Sequence, residues 1–229
     1  MDIFEYNKYD ENAISLTLQE ELKMTYAEYV EYLANKYGKA IVNYYCTPEC
    51  KSKNPKVTRT KEGLECHHID EDKYILLSKP YFARKHWETQ LADRLIYADK
   101  IEHLLLHIKI TVENCSRYNP DADDTQERDG FGFGCGCKYI IGSINSLFET
   151  PPTSGWQLNM YNKIKDRFDD YCELLVYLGI VYQVPTNILF CVDTNALEPT
   201  PTKVMDRCAE FVKALEPLLN ENPEEDKES

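Results

Sequence analysis

The sequence predicts an α+β protein. Short runs of β-favouring residues at 40–45, 64–69 and 95–97 are too brief for helices, and helix-start signals followed by apolar residues at helical spacing stand on both sides of them. The composition, 43% hydrophobic and 28% charged, excludes collagen-like, low-complexity and wholly disordered chains. At 229 residues the chain has the length of roughly 1.5 average domains, enough to bury a sizeable core.

Thr17-Leu-Gln-Glu20 and Thr25-Tyr-Ala-Glu28 both read as capping boxes, in which a threonine hydroxyl and a glutamate three residues on satisfy free amides at a helix start. The second opens a helix with Tyr26, Tyr29, Val30 and Leu33 on one face and Gly38 at its end. A strand is expected at 40–45, a turn at Cys46-Thr-Pro-Glu-Cys50, and a loop at 51–61, which holds five basic residues and no acid. A strand at 64–69, a turn at 70–73, a helix at 81–92 and a strand at 95–97 follow, and Asp99 is placed to cap a helix over 100–109. The polar, glycine-rich stretch 114–136 reads as a linker. Helices are expected at 156–178 and 203–219 with a strand-like piece at 187–192 between them, and the acidic tail 220–229 is expected to be disordered. The organisation is thus an N-terminal helical segment (1–37), a central unit (38–115), an acidic, mainly helical accessory region (116–219) and the tail.

No basic, apolar leader opens the chain and its longest apolar run is far short of a membrane span, so a cytoplasmic protein without a membrane partner is expected. Nine irregularly spaced cysteines argue against a disulfide framework. Four of them, Cys46, Cys50, Cys135 and Cys137, offer a candidate structural zinc site. The formal charge of −13 excludes a uniformly basic nucleic-acid coat, because phosphate binding needs cations that displace counterions. The charge is uneven. Residues 1–37 hold 3 basic and 8 acidic side chains, residues 38–115 hold 13 and 11, and residues 116–229 hold 10 and 20, so only the middle third is suited to approach a polyanion.

All five histidines lie in that middle third, four of them in two patterned pairs: His67-His68, and His103 with His107. Four residues make slightly more than one helical turn, so His103 and His107 project from one face and can ligate one ion. Adjacent strand side chains diverge, so one of His67 and His68 can complete a metal site while the other stays free as a base, a task suited to a group that titrates near neutral pH. Glu102-His103-Leu-Leu-Leu-His107 lacks the glutamate after the first histidine that a zinc protease helix needs, which excludes that class.

Gly63-Leu-Glu-Cys-His-His-Ile-Asp70, followed by Arg94-Leu-Ile-Tyr-Ala-Asp-Lys-Ile-Glu-His-Leu-Leu-Leu-His107, resembles the two halves of an HNH, or His-Me finger, endonuclease motif. The resemblance implies a ββα-metal core between the N-terminal helices and the C-terminal region, with one divalent ion (Mg, Mn, Ni or Zn) at the scissile phosphate of DNA. It assigns His68 as the base, His67, His103 and His107 as metal ligands, and Glu65 as the acid that orients the base. Arg94 stands where the family has its central asparagine and is expected to contact phosphate instead. Beside such a core, Lys51, Lys53, Lys56, Arg59 and Lys61 become candidate phosphate contacts. The alternative expectation is a catalytically weak or inactive binding protein of the same fold whose acidic C-terminal region contacts a protein partner.

Overall fold

Alternation along one strand divides the interior. In the computed structural model, which describes residues 16–114 and 136–219, β1 (Glu65–His68) pairs antiparallel with β2 (Leu95–Ala98), Glu65 opposite Ala98 and His68 opposite Leu95. Successive strand side chains point to opposite faces. Leu95 and Tyr97 therefore enter a small cluster with Tyr44, Val57, Leu64 and Ala83, while Ile96 and Ala98 enter the main helical core.

The main core begins with α1 (Leu16–Lys23) and α2 (Tyr26–Tyr37). The Thr25–Glu28 capping box is formed and Gly38 ends α2, whereas Thr17 lies inside α1 and so does not cap it. After the short α3 (Pro80–Lys85), α4 (Lys100–Asn114) starts from the predicted cap. Asp99 Oδ1 accepts from the amides of Ile101 and Glu102, and Glu102 Oε2 accepts from the Asp99 amide. Then come α5 (Gly136–Glu149), α6 (Gly155–Ile164), α7 (Phe168–Val181), the single turn α8 (Thr186–Leu189) and α9 (Thr202–Leu219). Buried residues run almost all round α7, and α9 covers it with the stripe Val204, Cys208, Val212 and Leu215. Leu33, Leu104 and Leu174 belong to this one core, so the N-terminal, central and C-terminal segments share it. Ion pairs with buried carboxylates tie its elements together: Arg167, just before α7, to Glu21 of α1 at 2.5 Å, and Lys36 of α2 to Glu102 of α4 at 2.6 Å.

The architecture is α+β, mostly helical with one small sheet. Several expected elements differ. Residues 40–45 form no strand, only a bridge between Tyr45 and Lys53. Their backbone bonds go to separate partners, Tyr44 N to Gln90 O and Ala40 N to Leu95 O, because the aromatic side chains there pack on the small cluster rather than extend a sheet. The expected helix at 81–92 breaks at His86 into α3 and a 3-10 turn, Trp87–Gln90. The expected helix at 156–178 is interrupted by the 3-10 turn Lys165–Arg167, and the strand-like piece at 187–192 begins as α8. Most of the expected linker and the acidic tail lie outside the described residues. Among the described residues no helix is long and apolar enough to cross a membrane.

Gly63 fixes where β1 begins. Its φ of +73° favours glycine, and a Cβ there would lie 2.5 Å from the Asn159 carbonyl oxygen of α6. The strand that carries both adjacent histidines is thereby seated against the C-terminal helices.

Candidate metal centre

The alternation of β1 sends its two histidines apart. Glu65 and His67 stand on the face that meets α4, whereas Cys66 and His68 stand on the face of the small cluster. On α4, His103 and His107 are one turn apart, and the rings of His67, His103 and His107 form a near-equilateral group with centroids 5.0–5.3 Å apart. The 3-10 turn that follows β1, Ile69–Asp72, returns Glu71 to the same point. One ligand atom from each of His67, Glu71, His103 and His107 lies within 4.8 Å of the others, a set that can hold a metal ion.

Hydrogen bonding fixes which nitrogens face this point. The Tyr26 hydroxyl donates to the Ile69 carbonyl at 2.8 Å, so its 2.9 Å contact with His67 Nε2 must be accepted from an Nε2–H. That leaves His67 Nδ1 as a bare lone pair, fully buried and without a hydrogen-bond partner. Such an atom is costly in a folded interior unless something binds it. Burial also holds the His67 pKa well below the ordinary range, so the ring is neutral, as a ligand must be. His103 donates from Nδ1 to Glu65 Oε2 at 2.8 Å, which frees its Nε2. Burial works to raise the Glu65 carboxyl, but His103 and the Lys100 ammonium 2.8 Å from Oε1 outweigh it and hold Glu65 well below the carboxylate range. His107 presents Nε2, 3.3 Å from Glu71 Oε2, and its other edge is packed on Gly136, where a Cβ would lie 2.3 Å from Nδ1.

His68 is held by different means. Gln90 donates its amide protons to the Leu77 carbonyl and Thr89 Oγ1, so its Oε1 accepts from His68 Nε2 at 3.1 Å. The other ring nitrogen, Nδ1, lies 3.4 Å from Glu71 Oε1. The Tyr44 ring lies 4.5 Å from the imidazole and limits its rotation. Glu71 thus straddles the two histidines of β1, with Oε2 3.6 Å from His67 Nδ1 and Oε1 toward His68.

The structure brings together His67, His103 and His107 as the sequence predicts, with His68 beside them. Two assignments change. Glu65 orients His103 rather than His68, because it shares the α4-facing side of β1. Arg94 forks both oxygens of Asp70, so it clamps the turn that carries Glu71 and its guanidinium is committed to a carboxylate. In the basic loop, Lys53 bonds the Tyr44 hydroxyl at 3.0 Å, next to His68, whereas Arg59 is engaged by Glu62, the Tyr37 carbonyl and the Tyr97 ring. Lys51, Lys56 and Lys61 are exposed. Of the proposed zinc cysteines, Cys46 is exposed, Cys50 is in the small cluster, Cys137 is in the main core and Cys135 lies outside the described residues. His86 stacks on Tyr74 at 3.8 Å, away from the four patterned histidines.

Sequence reasoning missed Glu71, Gln90 and Tyr26. Glu71 is one of three successive acids, and only the tight turn after β1 distinguishes it from Asp70, which faces Arg94. Gln90 and Tyr26 reach the histidines from 22 and 41 residues away and carry no local signal. No protein-family model, curated protein or solved structure matches this chain.

Proposed function

We propose that the chain is a metal-dependent endonuclease of the HNH type that hydrolyses phosphodiester bonds in DNA, with β1, β2 and α4 as its ββα-metal core. The divided use of two neighbouring histidines carries this reading. Tyr26 sets His67 so that its lone pair joins those of His103 and His107, while Gln90 sets His68 so that its Nδ1 lies beside the same point on the opposite face of β1. Hydrolysis of a phosphodiester needs this pairing of a cation site with an adjacent free base.

A bound divalent ion would supply charge stabilisation at the scissile phosphate and its leaving oxygen. His67, His103 and His107 would hold it, with Glu65 fixing the ring of His103. Their three imidazole nitrogens favour zinc or nickel over magnesium, which prefers oxygen donors. His68 takes the proton of the attacking water on Nδ1, and Gln90 Oε1 keeps hold of the Nε2–H as the ring becomes cationic. Lys53, held near His68 through Tyr44, and the exposed Lys51, Lys56 and Lys61 supply charge for the phosphate backbone. The test is nicking of supercoiled plasmid by the full chain with zinc, nickel, manganese or magnesium. Activity with a transition metal, loss with chelator, and a drop on the order of 10²–10⁴-fold in His68→Ala are expected; undiminished cleavage by His68→Ala would sink the mechanism.

Glu71 favours a second reading. A carboxylate that completes a four-donor, all-protein set is the hallmark of a structural metal site, which would suit a catalytically inactive protein of this fold that binds a partner through its acidic C-terminal region. In that case the chain binds metal but cuts no DNA with any of the four ions.

A further inference from the structure

Resting on the metal-site part of the reading above, we infer that Glu71 is a displaceable ligand: its carboxylate occupies the place that a substrate phosphate takes, and the anion must evict it to bind. Three observations lead there. The carboxylate is bidentate in its contacts, Oε2 among the ligand nitrogens (3.3 Å from His107 Nε2 and 3.6 Å from His67 Nδ1) and Oε1 3.4 Å from His68 Nδ1. A tetrahedral phosphate binding between a cation and a base needs the same two directions, one oxygen toward the cation and its attacked face toward the base. While Glu71 is in, His68 Nδ1 faces its carboxylate rather than a substrate.

The second observation is the direction of exit. The side chains of His67 and His68 are 0% and 1% exposed, whereas Glu71, His103 and His107 are 17%, 16% and 17% exposed. The centre therefore opens to solvent on the side where Glu71 and the α4 histidines lie, and the carboxylate can leave toward water by rotation of its own side chain. The third is that the backbone beneath it stays put. Arg94 clamps Asp70, and the amides of Lys73 and Tyr74 both bond the Asp70 carbonyl, so the turn is pinned on either side of a side chain with three rotatable bonds. The exchange balances in charge: one carboxylate of charge −1 leaves and one phosphodiester of charge −1 enters, with no change in oxidation state.

The same group thus serves as a fourth ligand at rest and as a built-in competitor, a gate that admits only anions able to displace a tethered carboxylate. This separates Glu71 from His67, His103 and His107, whose nitrogens are locked by Tyr26, Glu65 and the packing on Gly136.

Cobalt(II) loaded into the full chain provides the test, because its visible absorption is intense in a four-coordinate site and changes when a ligand is exchanged. Wild type, Glu71→Ala and the near-isosteric Glu71→Gln are titrated first with cobalt and then, at saturating cobalt, with inorganic phosphate; circular dichroism checks that each is folded, and the glutamine variant carries the test if the alanine one does not fold. The expected result is weaker cobalt binding in the variants together with phosphate affinity at least tenfold higher than in wild type. Equal cobalt affinity would show that Glu71 is no ligand, and equal or lower phosphate affinity would show that it does not occupy the phosphate place; either overturns the inference. Because neither titration involves DNA cleavage, a chain that gives the expected phosphate result but never nicks DNA refutes the nuclease reading alone.

Discussion

The hydroxyl of Tyr26 accepts the Nε2–H of His67 at 2.9 Å while donating to the carbonyl of Ile69, and so a tyrosine on α2 decides which nitrogen of a β1 histidine carries the lone pair at the candidate metal site. Tyr26→Phe removes that decision. It leaves a buried imidazole N–H and a backbone carbonyl without their partner, at a cost of about 1–3 kcal/mol, and frees His67 to take the other tautomer. Thermal unfolding of the metal-free variant should register the first effect, and zinc titration the second, as a loss of affinity on the order of 10–100-fold. Zinc binding as tight as wild type would show that the tyrosine does not set the ligand.

Glu65 acts on the opposite side of the centre. Glu65→Gln keeps an acceptor for His103 but removes the charge that also satisfies Lys100, whose side chain is only 8% exposed. Metal affinity should fall by a similar factor, and stability should fall with it because a nearly buried ammonium is left unpaired. In wild type, the depressed pKa of Glu65 makes its contribution to stability present above the unfolded carboxyl value and lost on acidification below it. Urea unfolding of the metal-free proteins at pH 3 and pH 7 should therefore show a larger gap between wild type and Glu65→Gln at pH 7; a gap independent of pH contradicts the assigned charge.

The difference between what was legible in the sequence and what was not follows from range. His103 and His107 are readable because helical geometry converts a spacing of four into a shared face, and Asp99 because its partners are two and three residues away. The β1–β2 strands are readable as a short segment at 64–69 and an apolar run at 95–97, and alternation alone sends His67 and His68 to opposite faces. Glu71, Gln90 and Tyr26 depend on tertiary placement: a 3-10 turn, a broken helix and a helix from the N-terminal segment. The same cause made residues 40–45 look like a strand. Their aromatic residues are suited to a half-buried surface, and the surface they meet is a cluster of side chains rather than a strand edge.

Gly136 is a position where the fold of the C-terminal half reaches the centre. A Cβ there would lie 2.3 Å from His107 Nδ1, so Gly136→Ala must move the ring. Gly136 is the first residue of α5, outside the helix interior where alanine's propensity advantage applies, so little offsets the displacement of the His107 ring. The stabilisation that zinc adds, which grows with the ratio of free metal to its dissociation constant, should therefore shrink in the variant. Melting temperatures with and without zinc measure it; an unchanged zinc-induced rise would mean that His107 is not held by this contact.

Asp99 sets a pH dependence that is independent of any metal. Burial, reinforced by the charge of Glu102, pushes its pKa up to about 7, although its Oδ1 caps α4. In the unfolded chain the group titrates near ~4, so between these values the folded state holds a proton that the unfolded state has lost. The stability that Asp99 contributes is full below about pH 4 and declines as pH rises through about 7, with a slope of up to ~1.4 kcal/mol per pH unit from this one proton. An asparagine side chain at this position would accept the same two amide hydrogens without a titrating charge, so Asp99→Asn should flatten this component and gain on wild type as pH rises from about 5 to about 8. Chemical denaturation of both metal-free proteins across that range gives the difference directly, and parallel curves would mean that Asp99 ionises in the fold as it does in the open chain.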